Sequence, residues 1–228
     1  MSGKSALEAL YPFLHGKEQD PAAVDAGLLQ SIEEKARESR ETNAKCFSEH
    51  ASILLDAAKA LAAMYRRGGR MFTMGNGGSS CDASHVAVEF LHPITAGRPA
   101  LPAINLTADI AMTSAVANDV GFEHIFVRQL IAVGRAGDGL IGLSTSGNSA
   151  NLIAAFGKAK EMGLTTIGFS GGDGGTMAQV CDHCLVAPTT SVHRIQECHV
   201  AAYHILWDLV HTLLADDRGS AMNREVAA

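Results

Sequence analysis

Basic side chains are scarce in this sequence. It contains 18 Lys and Arg residues against 24 Asp and Glu residues, which gives a formal net charge of −6. A protein that binds nucleic acid or another polyanion through its surface needs clustered Lys and Arg side chains. The composition therefore disfavours a nucleic-acid partner.

Long apolar runs are also missing. No segment approaches the roughly 20 apolar residues that span a bilayer, so we expect no membrane partner. Residues 1–19 are mixed and polar and lack the basic-then-apolar pattern of a secretory signal. We therefore expect a cytoplasmic, globular protein, and 228 residues of which 47% are hydrophobic suit one domain with flanking helices.

Cysteines are few and odd in number. Five cysteines spread over a chain of this size do not indicate a disulfide framework. Only Cys181 and Cys184, in Cys-Asp-His-Cys, have a suggestive spacing. A structural zinc site needs a second pair of ligands, and a thioredoxin-like motif opens a helix, whereas this pair straddles the start of a predicted strand. A metal or redox role stays open beside the simpler interpretation that the thiols are buried.

What the sequence does have is a regular alternation of strands and helices from residue 70 onward. Such alternation predicts an α/β fold, a three-layer, doubly wound parallel sheet of about five strands with N-terminal helices before it. Ligands of these sheets lie beyond the carboxyl ends of the strands. The predicted strands are residues 70–74, 102–106, 139–143, 165–169 and 183–187.

Three regions follow from this pattern. Residues 1–67 form an N-terminal arm and helices for packing or oligomerisation, residues 68–217 form the main domain, and residues 218–228 form a frayed tail. Within the first region, residues 21–65 have a helical pattern. Its second half, from Ala51 to Tyr65, is apolar on more than one face, so we expect it to be covered by its own domain or by another subunit.

A loop rich in hydroxyl groups follows the predicted strand at 139–143. Ser144, Thr145, Ser146 and Ser149 surround Gly147, and a helical pattern covers residues 150–162. Free backbone N–H groups and the helix dipole favour an anion at such a helix N-terminus. An ordinary Ser- and Asn-rich turn with a helix cap remains the alternative.

A glycine-rich loop, Gly75–Ser80, follows the first predicted strand. It is not a Walker A loop, because no Gly-Lys-Ser/Thr follows, and Ser80 occupies the third glycine position of a dinucleotide fingerprint. No Lys or Arg lies between Arg70 and Arg98, or between Arg135 and Lys158. A triphosphate usually needs a lysine or a metal clamp, whereas one phosphate monoester can be held by N–H and hydroxyl groups. A sugar phosphate therefore fits better than a nucleotide.

Candidate metal ligands lie on two predicted helices. His85 and Glu89 are four residues apart in the helix predicted at 82–91, so they share a helix face. In the closing helix at 192–215, Gln196, His199 and His204 lie off an expected core stripe made of Ile195, Cys198, Ala202, Ile205, Leu209 and Leu213. Imidazole and carboxylate groups suit zinc and can also transfer protons. Histidines that are solvated or hydrogen-bonded in the core are the alternative.

Taken together, these residues resemble the sugar isomerase (SIS) domain family, and within it the bacterial phosphoheptose isomerases. The resemblance runs from about residue 48 to residue 217. It depends on motifs that are each weak alone and specific as a set: Gly75-Asn-Gly-Gly-Ser79, Cys81-Asp-Ala83, His85 with Glu89, Asn118-Asp119, Ser144-Thr-Ser-Gly-Asn-Ser149, Asp173-Gly-Gly175, and Arg194-Ile-Gln-Glu197 with His204.

The resemblance implies a flavodoxin-like SIS fold and an activity. The family converts sedoheptulose 7-phosphate into D-glycero-D-manno-heptose 7-phosphate through an enediol, for lipopolysaccharide or other heptose synthesis, as a homotetramer with one zinc ion per subunit. The zinc ligands it implies are His85, Glu89, Gln196 and His204, of which Glu89 and His204 also transfer protons. The substrate-binding residues it implies are Asn76, Gly77, Gly78, Glu89, Asn118, Asp119, Ser144, Thr145, Ser146, Ser149 and Gln196.

The chain departs from the family pattern just after Glu89. Many members continue Leu-Thr-Gly-Arg, whereas here Phe90 begins Phe-Leu-His-Pro-Ile and the next arginine is Arg98; Val88 also stands where the family often has a second acid. The exact sugar phosphate, the anomer and the native metal therefore stay open, as does the number of subunits that build one site.

Two non-enzymatic functions compete with the isomerase. One is an interaction protein on an SIS scaffold, like the relative that binds the bacterial replication initiator, but that relative lacks the metal-binding set. The other is a sugar-phosphate sensor, which usually carries a separate DNA-binding domain, and residues 1–67 are neither basic nor patterned as a helix-turn-helix. The sequence favours the isomerase.

Overall fold

The computed structural model describes residues 21–215. The chain divides into two compact units, residues 1–40 and 41–228. The first unit, described from residue 21, is the beginning of helix α1 (Pro21–Arg66). Three of its large apolar side chains are exposed, with Leu28 at 58%, Leu29 at 63% and Ile32 at 64%. At spacings of one and four residues they lie on one side of a helix.

The second unit contains a five-stranded sheet in which every pairing is parallel. The strands are β1 (Met71–Gly75), β2 (Ala103–Asn105), β3 (Gly139–Leu143), β4 (Thr165–Gly171) and β5 (His183–Ala187). Their order across the sheet is β2-β1-β3-β4-β5. The predicted α/β fold is confirmed, β3 and β5 have the predicted bounds, and the other three strands shift by one or two residues at their ends.

Helices cover both faces of the sheet. They are α2 (Gly78–Leu91), α3 (Ile110–Asp119), α4 (Ile125–Val133, after a 3-10 turn at Phe122–His124), α5 (Ala150–Glu161), α6 (Met177–Val180) and α7 (Val192–Ala215). One apolar cluster joins residues 46–65 of α1 to α2 and α7, and it takes Ile141 and Leu143 from β3. A second cluster joins α3, α4 and α5, and it takes Leu140 from the same strand. Alternate residues of a strand point to opposite faces, so two cores result.

Helix α2 begins earlier than the sequence predicts. The predicted helix begins at Asp82, whereas in the structure residues 78–81 already form the first turn. Gly77 precedes the helix with a φ of +53°, a backbone conformation that glycine adopts without strain. The chain therefore turns directly from β1 into α2, and Gly78 lies at the helix N-terminus instead of in a loop.

The predicted core stripe of α7 is wrong at two positions. Ile195, Cys198 and Ala202 are buried as predicted, but Ile205 is exposed and His199 is fully buried. The stripe follows the true helical period through His199, Leu206 and Val210. His199 Nε2 donates to the Ser170 carbonyl at 3.0 Å, and burial lowers the pKa of this imidazole to about 4.

The apolar half of α1 is covered largely by its own domain. Leu54, Ala58, Leu61 and Met64 are buried within the chain, whereas Leu55 is exposed. The sequence left open whether this segment is covered by its own domain or by another subunit. Its own domain covers most of the apolar side chains. Within residues 21–215, no helix is both long and apolar enough to cross a membrane.

The cysteines are free, but their burial varies. Cys46 and Cys198 are buried, Cys81 is exposed, and Cys181 and Cys184 are half-buried. The Sγ atoms of Cys181 and Cys184 both lie 3.0 Å from the position that a Cβ on Gly168 would take. The interpretation that the thiols of Cys181 and Cys184 are buried is therefore confirmed only in part, because both residues are half-buried.

Candidate active site

The site lies where the strand order reverses. After β1 the chain continues to β2 on one side of the sheet, and after β3 it continues to β4 on the other side. In such sheets, ligands bind at the carboxyl ends of the two neighbouring strands between which the order reverses. The glycine-rich segment after β1 and the hydroxyl loop after β3 both open there. Asn76 and Asn151 join them through two reciprocal hydrogen bonds, each 2.9 Å long between Nδ2 and Oδ1.

The hydroxyl loop is held by its own polar groups and by the loop after β4. Ser144 Oγ lies 3.0 Å from Ser149 Oγ, and the Asn148 N–H donates to Ser146 Oγ at 3.2 Å. The N–H and hydroxyl of Thr176 both donate to Asn148 Oδ1 at 3.0 Å. Ser149 occupies the cap position of α5 without a side-chain hydrogen bond to the helix. Its hydroxyl therefore remains directed at Ser144, beside the free N–H groups of the helix start.

A group that could hold a metal ion lies between α2 and α7. His85 and Glu89 on α2 and His204 on α7 each offer a ligand atom, and these atoms lie within 4.8 Å of one another. His85 Nε2 is 3.1 Å from Glu89 Oε1. The His85 side chain is 43% exposed and that of Glu89 22% exposed, so a small molecule can reach both. One chain supplies all three residues.

Two neighbouring side chains of α7 hold this group in place through hydrogen bonds. The Tyr203 hydroxyl lies 2.7 Å from His85 Nδ1, and Trp207 Nε1 donates to the Glu89 carbonyl at 2.8 Å. Burial, with the nearby charges of Asp82 and Glu89, raises the pKa of Tyr203, which therefore stays a neutral phenol. Burial likewise raises the pKa of Asp82. The donor set of two imidazoles and a carboxylate fits a divalent transition metal.

Gln196, the fourth ligand implied by the resemblance, lies at the beginning of α7, against Gly78. Its Nε2 atom is 2.4 Å from where a Cβ on Gly78 would lie. A side chain at Gly78 would therefore displace the terminal amide of Gln196 from this position. The structure thus brings three of the four implied ligands together and places Gln196 at the glycine segment.

Asn118 and Asp119, exposed at the end of α3, are hydrogen-bonded to each other at 2.8 Å. Three residues further on, Phe122 lines a cavity of about 170 Å³, together with Thr107, Thr113 and the Gly75–Gly77 segment. The Thr113 hydroxyl is buried, and no residue within 21–215 forms a hydrogen bond with it. The cavity therefore extends the site from the β1 loop toward the segment that carries Asn118 and Asp119.

Sequence reasoning missed several of these residues. Asn151 and Tyr203 each lie inside a helical pattern that carries no sign of a partner more than 70 residues away. Thr113 and Phe122 are ordinary helix and turn residues by sequence. The one available signal was position, because Asn151 lies in the first turn of a helix that follows a candidate anion loop.

Arg98, the first arginine after Glu89, is held by α7. Its guanidinium lies 4.3 Å from the centre of the Trp207 ring and forms an ion pair with Asp208. Since Trp207 binds the Glu89 backbone, Arg98 supports the helix pair that carries the metal-binding group.

Comparison with known proteins agrees with this geometry. The family model of the SIS domain matches residues 36–171. A phosphoheptose isomerase of Desulfovibrio desulfuricans is 42% identical over 83% of this chain and 90% of that relative. The structure of a phosphoheptose isomerase from Neisseria gonorrhoeae is 34% identical, with a TM-score of 0.76 over 81% of this chain and 99% of the other. One from Francisella tularensis is 32% identical, with a TM-score of 0.77 over 81% and 98%. The chain therefore belongs to the SIS domain family and, within it, to the phosphoheptose isomerases.

Proposed function

We propose that this protein is an aldose–ketose isomerase that converts sedoheptulose 7-phosphate into D-glycero-D-manno-heptose 7-phosphate through an enediol. The observation that carries the proposal is the group of His85, Glu89 and His204 beside two loops suited to a phosphate. An interaction protein on the same scaffold would have no need of a reachable set of two imidazoles and a carboxylate. The family membership supports the isomerase in the same direction.

The phosphate would be bound without cationic side chains. The N-terminus of α5 supplies free N–H groups and the positive end of a helix dipole, and Ser144, Thr145, Ser146 and Ser149 supply hydroxyls. Asn76, Gly77 and Gly78 would line the sugar on the β1 side, and Asn118 and Asp119 would contact its hydroxyls. The Asn76 side chain already bonds Asn151, so the backbone of this segment is its free binding surface.

Glu89 and His204 would carry the protons. An aldose–ketose conversion moves one proton between C1 and C2 and another between their two oxygens. A carboxylate and an imidazole held on facing helices can accept and return both, since each group alternates between acid and base. His85, Glu89 and His204, with Gln196 through its amide oxygen, would hold zinc, one ion per subunit. A bound zinc ion would polarise the carbonyl and the neighbouring hydroxyl.

Assembly and cellular role follow as parts of the same proposal. We infer a homotetramer, supported by the exposed Leu28, Leu29 and Ile32 on one side of α1, an apolar patch that another subunit could cover. The organisation would be residues 1–67 for packing, 68–217 as the SIS domain and 218–228 as a tail. The enzyme would act in the cytoplasm, in lipopolysaccharide or other heptose synthesis, with no nucleic-acid or membrane partner.

A panel of ketose phosphates, assayed with and without added zinc, tests the proposal. We expect sedoheptulose 7-phosphate to be the best substrate and Glu89→Gln to abolish turnover, because the variant loses the carboxylate that accepts the proton. Glu161→Gln, at the exposed end of α5, serves as the matched control and should retain activity. Full activity in protein verified to be metal-free would contradict the metal assignment, and no turnover of any ketose phosphate would contradict the enzyme.

A further inference from the structure

The hydroxyl of Tyr203 is the hydrogen-bond partner of the His85 imidazole. It lies 2.7 Å from Nδ1, and the Tyr203 side chain is buried, at 1% exposure. Its ring packs edge-on against His85 and His204, with centroids 5.3 Å and 4.8 Å away. We propose that Tyr203 is a positioning residue that holds the His85 ring with Nε2 facing Glu89 and His204. The inference rests on the metal centre of the proposed function.

The argument depends on which nitrogen of His85 carries a proton. An imidazole binds a metal ion through an unprotonated nitrogen, and the other nitrogen then carries a proton that needs an acceptor. Nε2 is the nitrogen beside Glu89 Oε1, at 3.1 Å, so Nε2 is the one available to an ion. The Nδ1–H group then donates to the Tyr203 oxygen.

A hydroxyl suits this position because it both accepts and donates. With Nε2 protonated and donating to Glu89, the Tyr203 hydroxyl donates to Nδ1; with Nε2 unprotonated, the hydroxyl accepts from Nδ1. The ring orientation is the same in both cases, so His85 is preorganised for an ion. A phenylalanine would fill the same space and pack on the same rings, but it could do neither.

Tyr65 offers a matched control. It is also a buried tyrosine, stacked on Phe90, and its hydroxyl contacts only the Pro102 carbonyl at 3.5 Å among the bonds described for it. Tyr65→Phe therefore removes a buried hydroxyl from the same core without touching His85.

The decisive measurement is zinc affinity, by competition with a chromophoric chelator on stripped protein without substrate. Removing the group that hydrogen-bonds the other ring nitrogen of a metal-binding histidine typically weakens metal binding by about 10–100-fold. We expect Tyr203→Phe to show such a loss of zinc affinity. Tyr65→Phe should bind zinc with the affinity of the wild type, since it leaves His85 untouched. Excess zinc should restore the kcat of Tyr203→Phe with KM unchanged, because the hydroxyl acts through His85. Unchanged zinc affinity in Tyr203→Phe, or a loss of activity that zinc does not restore, would overturn the inference.

A second measurement needs no change at Tyr203. The experiment uses zinc-bound protein in which the histidines carry 15N. The His85 signal is identified as the one that is absent from the His85→Gln spectrum. We expect the Nδ1 proton of His85 to exchange slowly with water. Exchange as fast as in an exposed imidazole would refute the hydrogen bond. A wild type that binds zinc but isomerises no sugar phosphate would refute the proposed substrate and leave this inference standing. A wild type that binds zinc no better than His85→Gln would overturn both.

Discussion

The amide pair of Asn76 and Asn151 should couple the two loops of the site energetically. Asn151 is 2% exposed, and Asn151→Ala removes both reciprocal hydrogen bonds. A neutral hydrogen bond contributes about 1 kcal/mol to stability, so the expected loss is about 2 kcal/mol in the free energy of unfolding. The Leu152 N–H also bonds Asn151 Oδ1, but it keeps the Ser149 carbonyl at 3.0 Å, so it adds little.

A double-mutant cycle, measured by urea unfolding at one protein concentration, tests this coupling. Asn76→Ala alone should lose a similar amount, and the double variant should lose about 2 kcal/mol in total instead of about 4, because the same two bonds disappear in all three proteins. Gln129→Ala is the control partner, since its amide donates to the carbonyls of Leu106 and Ile125. The losses of unfolding free energy caused by Asn76→Ala and Gln129→Ala should be additive to within about 0.5 kcal/mol. If Asn76→Ala and Asn151→Ala were equally additive, the amide pair would not join the loops.

Three further predictions concern phosphate binding, subunit composition and pH. Ser149→Ala should weaken binding of the sugar phosphate by about 1–3 kcal/mol, as for a lost hydrogen bond to a charged group; unchanged saturation would refute the loop assignment. Co-expressed His85→Ala and His204→Ala chains should not regain activity in mixed assemblies, because one chain brings both histidines together; recovery would place them in one site from two subunits. The native state resists protonation of His199 down to about pH 4, against a usual pKa of 6.5, so the unfolded state binds more protons between these values. Stability should therefore fall as the pH drops through this window, by up to about 1.4 kcal/mol per pH unit, and a His199→Gln variant with an equally steep pH dependence would contradict the assignment.

The sequence alone determined the features that have a short period. Alternating strand and helix patterns gave the α/β class, and the bounds of β3, β5 and α7 agree with the structure to the residue. The four-residue spacing of His85 and Glu89 placed them on one helix face, and the hydroxyl loop identified the edge of the sheet where an anion could bind. Local sequence carries this information because backbone periodicity and helix termini are set by near neighbours.

Tertiary structure decided which distant residues meet. His204 joins His85 and Glu89 because α2 and α7 pack on the same face of the sheet, and the same packing brings Tyr203 to His85. His199 was expected off the core stripe, but it lies in the core because a carbonyl from β4 meets its ring. These outcomes depend on helix rotation and on contacts across 29 to 118 residues of chain, and no local pattern encodes either one.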